Sequence, residues 1–118
     1  MATVKLSLGL AESGTVNTPS ILTVPQDSGS VTLLDGRYRY SSALVQNVGS
    51  NDIYIRVAGT VTDDIYHVKL SPLSQAEIND ASYVNVTACT AASTSDGAAV
   101  VFSVQVNDSQ HTPGTAGA

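Results

Sequence analysis

The sequence predicts an all-β fold, a single antiparallel β-sandwich, with a small barrel as the alternative. Apolar and polar residues alternate with a period of two over most of the chain, turn-forming residues separate the alternating runs, and no window has a convincing helical period. About eight short strands within 118 residues suit one domain with one core. The pattern leaves two topologies open, jelly-roll and immunoglobulin-like.

The two ends of the chain differ from its middle. Near the N-terminus, Val4, Leu6, Leu8 and Leu10 alternate with other residues until Glu12 begins a break. We expect an extended N-terminal segment or arm at 1–19, a β-sandwich domain at 20–108 and a flexible tail at 109–118. The tail is disordered in this prediction because it has too few apolar residues to bury.

The first strands of the domain are separated by clear turn signals. A strand over 19–24 ends at the turn formers of 25–29, and Val31–Leu34 follows. Asp35-Gly36 then predicts a hairpin. In the long strand over 37–48 the apolar parity changes across Ser41-Ser42, which predicts a β-bulge or a change of sheet.

The second half of the chain predicts strands over 52–57, 64–70, 83–90 and 98–106. The best helical candidate, at 73–81, is one or two turns at most. One parity of three strands supplies the predicted core, which includes Ile53, Ile55, Val84, Val86, Val100, Phe102 and Val104.

Composition excludes several classes of function. The net charge is −5 and only 13% of residues are charged, so we expect no nucleic-acid partner. No apolar run approaches the ~18 residues of a membrane span or forms the core of a signal peptide. We therefore expect no membrane association, and synthesis in a cytoplasm without a signal peptide.

The sequence contains no catalytic signature, so we expect no enzymatic activity and no cofactor. Cys89 is the only cysteine, which excludes an intrachain disulfide and a cysteine-based metal site. His67 reads as a strand residue and His111 lies in the tail. Asp63-Asp64, with Asp52 nearby, could gather oxygen ligands for calcium, but we favour a solvated turn and predict no metal site.

The candidate interface consists of tyrosine and arginine on two predicted strands. These residue types are enriched in protein–protein hot spots. The alternative interpretation is that these tyrosine and arginine side chains are ordinary surface residues of the strands. The N-terminal apolar residues either join this interface or complete the chain's own sheet. The candidate contact residues are Val4, Leu6, Leu8, Arg37, Tyr38, Arg39, Tyr40, Tyr54 and Arg56.

Three motifs follow one another between residues 44 and 106. Asn47-x-Gly49-Ser50-x-x-Ile53-Tyr54-Ile55 comes first, then the turn Leu70-Ser71-Pro72, then Tyr83-x-x-Val86-Thr87-Ala88. This succession resembles small β-sandwich virion proteins of tailed bacteriophages. The turn departs from the family pattern, since Leu73 follows Pro72 where many relatives have glycine.

The resemblance implies a capsid decoration (cement) protein, a head fibre or a tail component. We expect a structural protein on the capsid exterior that binds the lattice of the major capsid protein and stabilises the head. A homo-oligomer is implied, with a trimer favoured. The alternative is a glycan- or receptor-binding module of a head or tail fibre, in which exposed tyrosine rings would stack on sugars.

Overall fold

A computed structural model describes residues 2–5 and 13–106, and these form eleven strands and no helix. The all-β prediction is confirmed. The predicted tail and two predicted interface residues, Leu6 and Leu8, lie outside this part of the chain. The strands are β1 (Ala2–Lys5), β2 (Ser13–Val16), β3 (Ile21–Val24), β4 (Val31–Leu34), β5 (Arg39–Asn47), β6 (Ile53–Val57), β7 (Val68–Leu70), β8 (Gln75–Ile78), β9 (Ala81–Ser82), β10 (Val86–Cys89) and β11 (Gly97–Val106).

The strands form two antiparallel sheets. The larger sheet has the order β1-β2-β11-β5-β8, with β3 also paired to β11 and β9 also paired to β5. The smaller sheet has the order β4-β10-β6-β7. β11 is central, because β5 pairs with one of its edges while β2 and β3 share the other. β1 pairs with β2, so Val4 belongs to a sheet of its own chain.

The core lies between the two sheets and draws on both. Ile53, Ile55 and Val86 are buried, as predicted, and Val84 packs against them half-buried, just before β10 begins. The larger sheet contributes small or branched residues from alternate positions of β5 and β11, namely Ala43, Val45, Ala99 and Val101.

The predicted parity of β11 is wrong. Val101 is buried, whereas Phe102 is 39% exposed, and Val100 and Val104 are half-buried. Residues 97–102 of β11 are apolar at both parities, and the polar Ser103 and Gln105 alone favoured the wrong inner face. Pairing with β5 decides it: Val101 stands opposite the core residue Val45.

The bulge predicted at Ser41-Ser42 is present. Ser42 pairs with Val104 while Tyr40 pairs with Gln105, which leaves Ser41 as the extra residue. The bulge lets Tyr40 and Ala43, three positions apart, both face the core.

Two local predictions are corrected by the tertiary structure. The turn at Asp35 forms, with the Tyr38 N–H donating to the Asp35 carbonyl at 3.2 Å. It connects β4 of the smaller sheet to β5 of the larger sheet, so it is a corner and not a hairpin. The helical candidate at 73–81 contains β8 and the start of β9, because Ala76 and Ile78 pack inward with a period of two.

Candidate functional site

The predicted tyrosine–arginine surface is divided between the two sheets. Arg37 to Tyr40 lead into β5 of the larger sheet, whereas Tyr54 and Arg56 lie on β6 of the smaller sheet. Ile53 and Ile55 face the core, so Tyr54 and Arg56 project from the opposite side of their strand. The structure therefore does not bring these candidates together on one surface.

Tyr54 belongs to a second, small core on the outside of the smaller sheet. It is only 9% exposed and packs with Val61 and Cys89, which are fully or almost fully buried. The Tyr66 and Tyr54 rings meet edge to face, with their centroids 4.9 Å apart, and Lys69 Nζ lies 5.7 Å from the centroid of the Tyr54 ring. The chain's own loop thus covers this face, and we do not retain Tyr54 as a contact residue.

Cys89 is a structural residue of this small core. Burial raises the pKa of its thiol to about 11, and the nearby carboxylates of Asp27 and Asp63 act in the same direction. A thiol that stays protonated at neutral pH is a poor nucleophile and a poor metal ligand.

Arg56 and Tyr40 are also engaged within the fold. Arg56 NH1 donates to the Thr60 carbonyl at 2.8 Å, and a Cβ at Gly59 would lie 2.7 Å from the guanidinium carbon of Arg56. The Tyr40 hydroxyl accepts the Asp35 N–H at 3.3 Å, and burial raises the pKa of that phenol. Neither side chain is free to form the centre of an interface.

Arg37, Tyr38 and Tyr83 form an exposed group that we call the corner patch. Arg37 pairs with Asp35 through its Nε and NH2 groups, and NH2 donates to Oδ2 at 2.8 Å. This pairing raises the pKa of Arg37 and lowers that of Asp35. The Arg37 guanidinium lies 5.5 Å from the centre of the Tyr38 ring, and the Tyr83 N–H donates to the Tyr38 carbonyl at 3.0 Å. Tyr83 is 52% exposed.

Two of the three acidic residues considered for calcium are held by other partners. Asp63 Oδ2 accepts the Ala92 N–H at 3.0 Å, and Asp52 pairs with Lys69 at 3.6 Å. Within residues 2–5 and 13–106, no three histidine, cysteine or acidic side chains come together as a metal site.

One extended apolar surface in the described part of the chain was missed by the sequence prediction. It is the outer side of the larger sheet, which we call the outer apolar face. Its apolar residues come from four strands and are Val16, Ile21, Leu44, Val100, Phe102 and Val104. The available signal was the first part of β11, residues 97–102, which is apolar at both parities, as in strands covered on both sides.

Strand pairing makes this face continuous. Phe102 stands opposite Leu44, Val100 opposite Ile21, and Val104 opposite Val16. Ile21 is 71% exposed. A groove of about 270 Å³ runs beside Phe102 and is lined further by Val16, Leu44, Val104 and the polar Gln75, Glu77 and Asn79. The face is thus an open apolar strip with a polar margin along β8.

The Asn-x-Gly motif of the phage resemblance has a structural role. Asn47 is 1% exposed, and its Nδ2 donates to the carbonyls of Asn51 and Leu70 at 2.8 and 2.9 Å. Its Oδ1 accepts the Gly49 N–H at 3.0 Å. A Cβ at Gly49 would lie 2.9 Å from the Ala98 nitrogen, so only glycine fits there without a shift. These residues hold the corner between β5 and β6.

Comparison with known proteins adds no family. No family model matches the chain, and a search of curated proteins finds no match either. Among the described residues, no helix is long and apolar enough to cross a membrane.

Proposed function

We propose that this chain is a structural virion protein of a tailed phage, of the capsid decoration type. It binds the lattice of the major capsid protein on the outside of the head and stabilises the shell. The outer apolar face carries this proposal. In the described part of the chain this face is open to water, and apolar strips rimmed by polar residues are typical of surfaces that bind other proteins.

Two further observations support a structural role over a chemical one. Among the described residues, the only thiol is buried, and the carboxylates of Asp63 and Asp52 are held by the Ala92 N–H and by Lys69. The motifs of residues 44–106 resemble phage virion proteins. We infer a β-sandwich of the jelly-roll or immunoglobulin-like type. The arrangement of the two sheets in two layers supports this inference.

The proposed mechanism is the burial of apolar area at the seams between capsid subunits. Each Å² of apolar surface removed from water stabilises the contact by about 25 cal/mol. One chain binds modestly, but many copies on one shell act together, because every neighbouring contact must break before the shell opens.

Phage heads assembled without this chain provide the test. The added protein should cosediment with the heads and raise the temperature at which they release DNA. Phe102→Ser should weaken cosedimentation at least tenfold, whereas Ile65→Ser should leave it unchanged. Ile65 is a matched control because it is also exposed but belongs to the loop over the smaller sheet. Equal binding by both variants would contradict a role for the outer apolar face, and no binding by the wild type would contradict the proposal itself.

A glycan- or receptor-binding module is the second candidate, and the corner patch favours it. Tyr38 and Tyr83 are both exposed and are joined by a backbone hydrogen bond, and exposed aromatic rings offer an apolar surface on which a sugar can stack. A glycan array would distinguish the two functions. A signal that disappears in both Tyr38→Ala and Tyr83→Ala, but persists in Phe102→Ser, would favour this candidate.

A further inference from the structure

We propose that a cleft on one side of the sandwich binds a small uncharged polyol, such as a single sugar ring, with the Ser103 hydroxyl as the central contact. The cleft lies between β4 of the smaller sheet and residues 17–20, which connect β2 to β3. We call it the hydroxyl cleft. It opens between the two sheets, so this inference is independent of the outer apolar face and of the proposed capsid-binding role.

Ser103 occupies a position of β11 where packing favours an apolar residue. It stands opposite Ala43 of β5, which is a core residue, and two positions after the core residue Val101. Its side chain therefore points between the sheets, and the residue is only 8% exposed. A hydroxyl group in such a place opposes folding unless it has a hydrogen-bond partner.

Within the described part of the chain, no protein group bonds to this hydroxyl. The Ser103 backbone is paired with Asn17, because its N–H donates to Asn17 Oδ1 at 2.9 Å and its carbonyl accepts the Asn17 N–H at 3.1 Å. No fully enclosed polar side-chain atom of the described residues lacks a partner. The unpaired Ser103 hydroxyl is therefore accessible from the cleft that the residue lines.

The cleft exists because β2 and β3 leave a gap along their shared edge of β11. They pair with β11 on either side of residues 101–103, and neither strand covers these residues. Asn17 spans the gap, because its Nδ2 donates to the Val101 carbonyl at 2.7 Å while its Oδ1 accepts the Ser103 N–H. These bonds hold the base of the cleft in place, and a site that is already ordered loses less entropy when a ligand binds.

Hydroxyl groups also form the rim of the cleft. They belong to Thr18, Ser20 and Thr32, which are exposed. Pro19 has a fixed φ and restricts Thr18 to an extended conformation, so this part of the rim is ordered too. Each hydroxyl both donates and accepts. Together with Ser103 they suit a ligand that carries several hydroxyl groups of its own.

The cleft offers nothing to a charged ligand. None of the described residues that line it is ionisable, and its apolar part consists of Leu22, Leu33 and Val101. A phosphate or carboxylate would find no cation there, and the net charge of −5 repels anions at longer range. A neutral polyol meets both kinds of lining, because its hydroxyl groups face the rim while its C–H groups lie on the aliphatic side chains.

The size of the cleft limits the ligand to about one ring. Its volume is about 210 Å³, the space that about seven water molecules fill in the liquid. Sites for drug-sized ligands begin at about 300 Å³. With few hydrogen bonds, no ion pair and no aromatic ring in the lining, we expect dissociation constants in the millimolar range.

NMR titration of the whole chain with glycerol, glucose, galactose and mannose tests the site. At least one of them should shift the backbone amide signals of residues 17–22, 32–33 and 101–103 in a saturable way. Glucose 6-phosphate should bind no more tightly than glucose, because the cleft has no cation. A free sugar and the end of a glycan share this chemistry, and tighter binding of an oligosaccharide that ends in the bound sugar would identify the glycan as the source.

Ser103→Ala separates a ligand contact from a structural role. Binding should weaken at least about fivefold, as for the loss of one hydrogen bond, while the melting temperature stays within about a degree or rises, because the hydroxyl has no partner in the fold. Ser42→Ala is the matched control and should change neither quantity, since Ser42 is exposed on the outer side of the neighbouring strand. Thr32→Val replaces a rim hydroxyl with a methyl group, should also weaken binding, and serves if the Ser103 variant does not fold.

Each of five results would overturn the inference. Saturable shifts with none of the four compounds would mean that the cleft holds water only, and tighter binding of glucose 6-phosphate would contradict a neutral site. Shifts centred on Tyr38 and Tyr83 would place the binding at the corner patch. The other two are a Ser103→Ala variant that binds like the wild type and one that loses several degrees in melting temperature, since its hydroxyl then has a structural partner. None of these measurements involves phage heads, so this inference and the proposed function fail separately.

Discussion

Replacing Asn47 with alanine should destabilise the protein by about 3–4 kcal/mol, although this residue lies in neither candidate binding surface. The substitution removes two donated hydrogen bonds, to the Asn51 and Leu70 carbonyls, and one accepted from the Gly49 N–H. Each such bond contributes about 1 kcal/mol net, and a buried group left without a partner costs up to about 3 kcal/mol. The estimate takes three bonds and a small allowance for the buried Leu70 carbonyl.

Gln46→Ala is the matched control because it removes an amide from the neighbouring position of the same strand. Gln46 faces outward and makes one exposed side-chain bond, to Gln75 at 3.3 Å. We expect a loss below about 0.5 kcal/mol, as is usual for exposed sites. Urea denaturation followed by circular dichroism measures both variants. If Asn47→Ala unfolds within about 1 kcal/mol of Gln46→Ala, the side chain does not hold the corner and the reasoning is refuted.

Asn47→Asp adds a test of bond direction. The carboxylate introduced at position 47 can still accept the Gly49 N–H, but its second oxygen faces the carbonyl oxygens of Asn51 and Leu70, which repel it. At pH 7 we therefore expect a larger loss than for alanine. Such a carboxyl has a raised pKa in the folded state, so the variant should regain stability as the pH falls. A variant whose stability is independent of pH would contradict this geometry.

The remaining predictions concern the core, the thiol and metal binding. Ile53→Ala should lower the free energy of unfolding by about 2–5 kcal/mol. Phe102→Ala should lower it by less than about 1.5 kcal/mol at concentrations where the chain is monomeric, because the Phe102 ring is partly in water. Equal losses of stability in thermal unfolding would mean that the inner and outer faces of β11 are assigned the wrong way round. Cys89 should not react with a thiol reagent at pH 8 until the protein unfolds. The pKa of the Cys89 thiol is raised to about 11 in the folded state, so its contribution to stability should be intact below the ordinary thiol pKa of about 8.5. Stability should decline as the pH rises from about 8.5 to about 11, and this decline should be smaller in Cys89→Ala. Thermal unfolding should be the same with a chelator and with millimolar calcium, because Asp63 is already bonded to a backbone N–H; a rise of several degrees with calcium would contradict this.

The positions of most strands follow from local pattern, and the bulge at Ser41-Ser42 shows how far such reasoning reaches. A change of apolar parity within one run indicates a bulge or a change of sheet, whatever the strand pairs with, and the pairing with β11 shows that it is a bulge. The turn at Asp35 is equally local. Its role as a corner is not, because the partner of β4 is β10, about fifty residues further along the chain.

The candidate site could not be predicted in the same way. Closeness in sequence suggested one surface containing Tyr40, Tyr54 and Arg56, but consecutive strands enter different sheets and the rings are used in packing. Val4 lies in β1, which pairs with β2 of the same chain. Of the two alternatives for the N-terminal residues, this is the one in which they complete the chain's own sheet.

Local alternation establishes that this chain forms strands, since a period of two places one set of side chains on each side of an extended backbone. It does not establish which side is the interior when both sets are apolar, as they are over residues 97–102 of β11. There the register with β5 turned Val101 inward and left Phe102 outside. Only the tertiary structure decides such a case, because the inner face of a strand is defined by what the opposite sheet packs against.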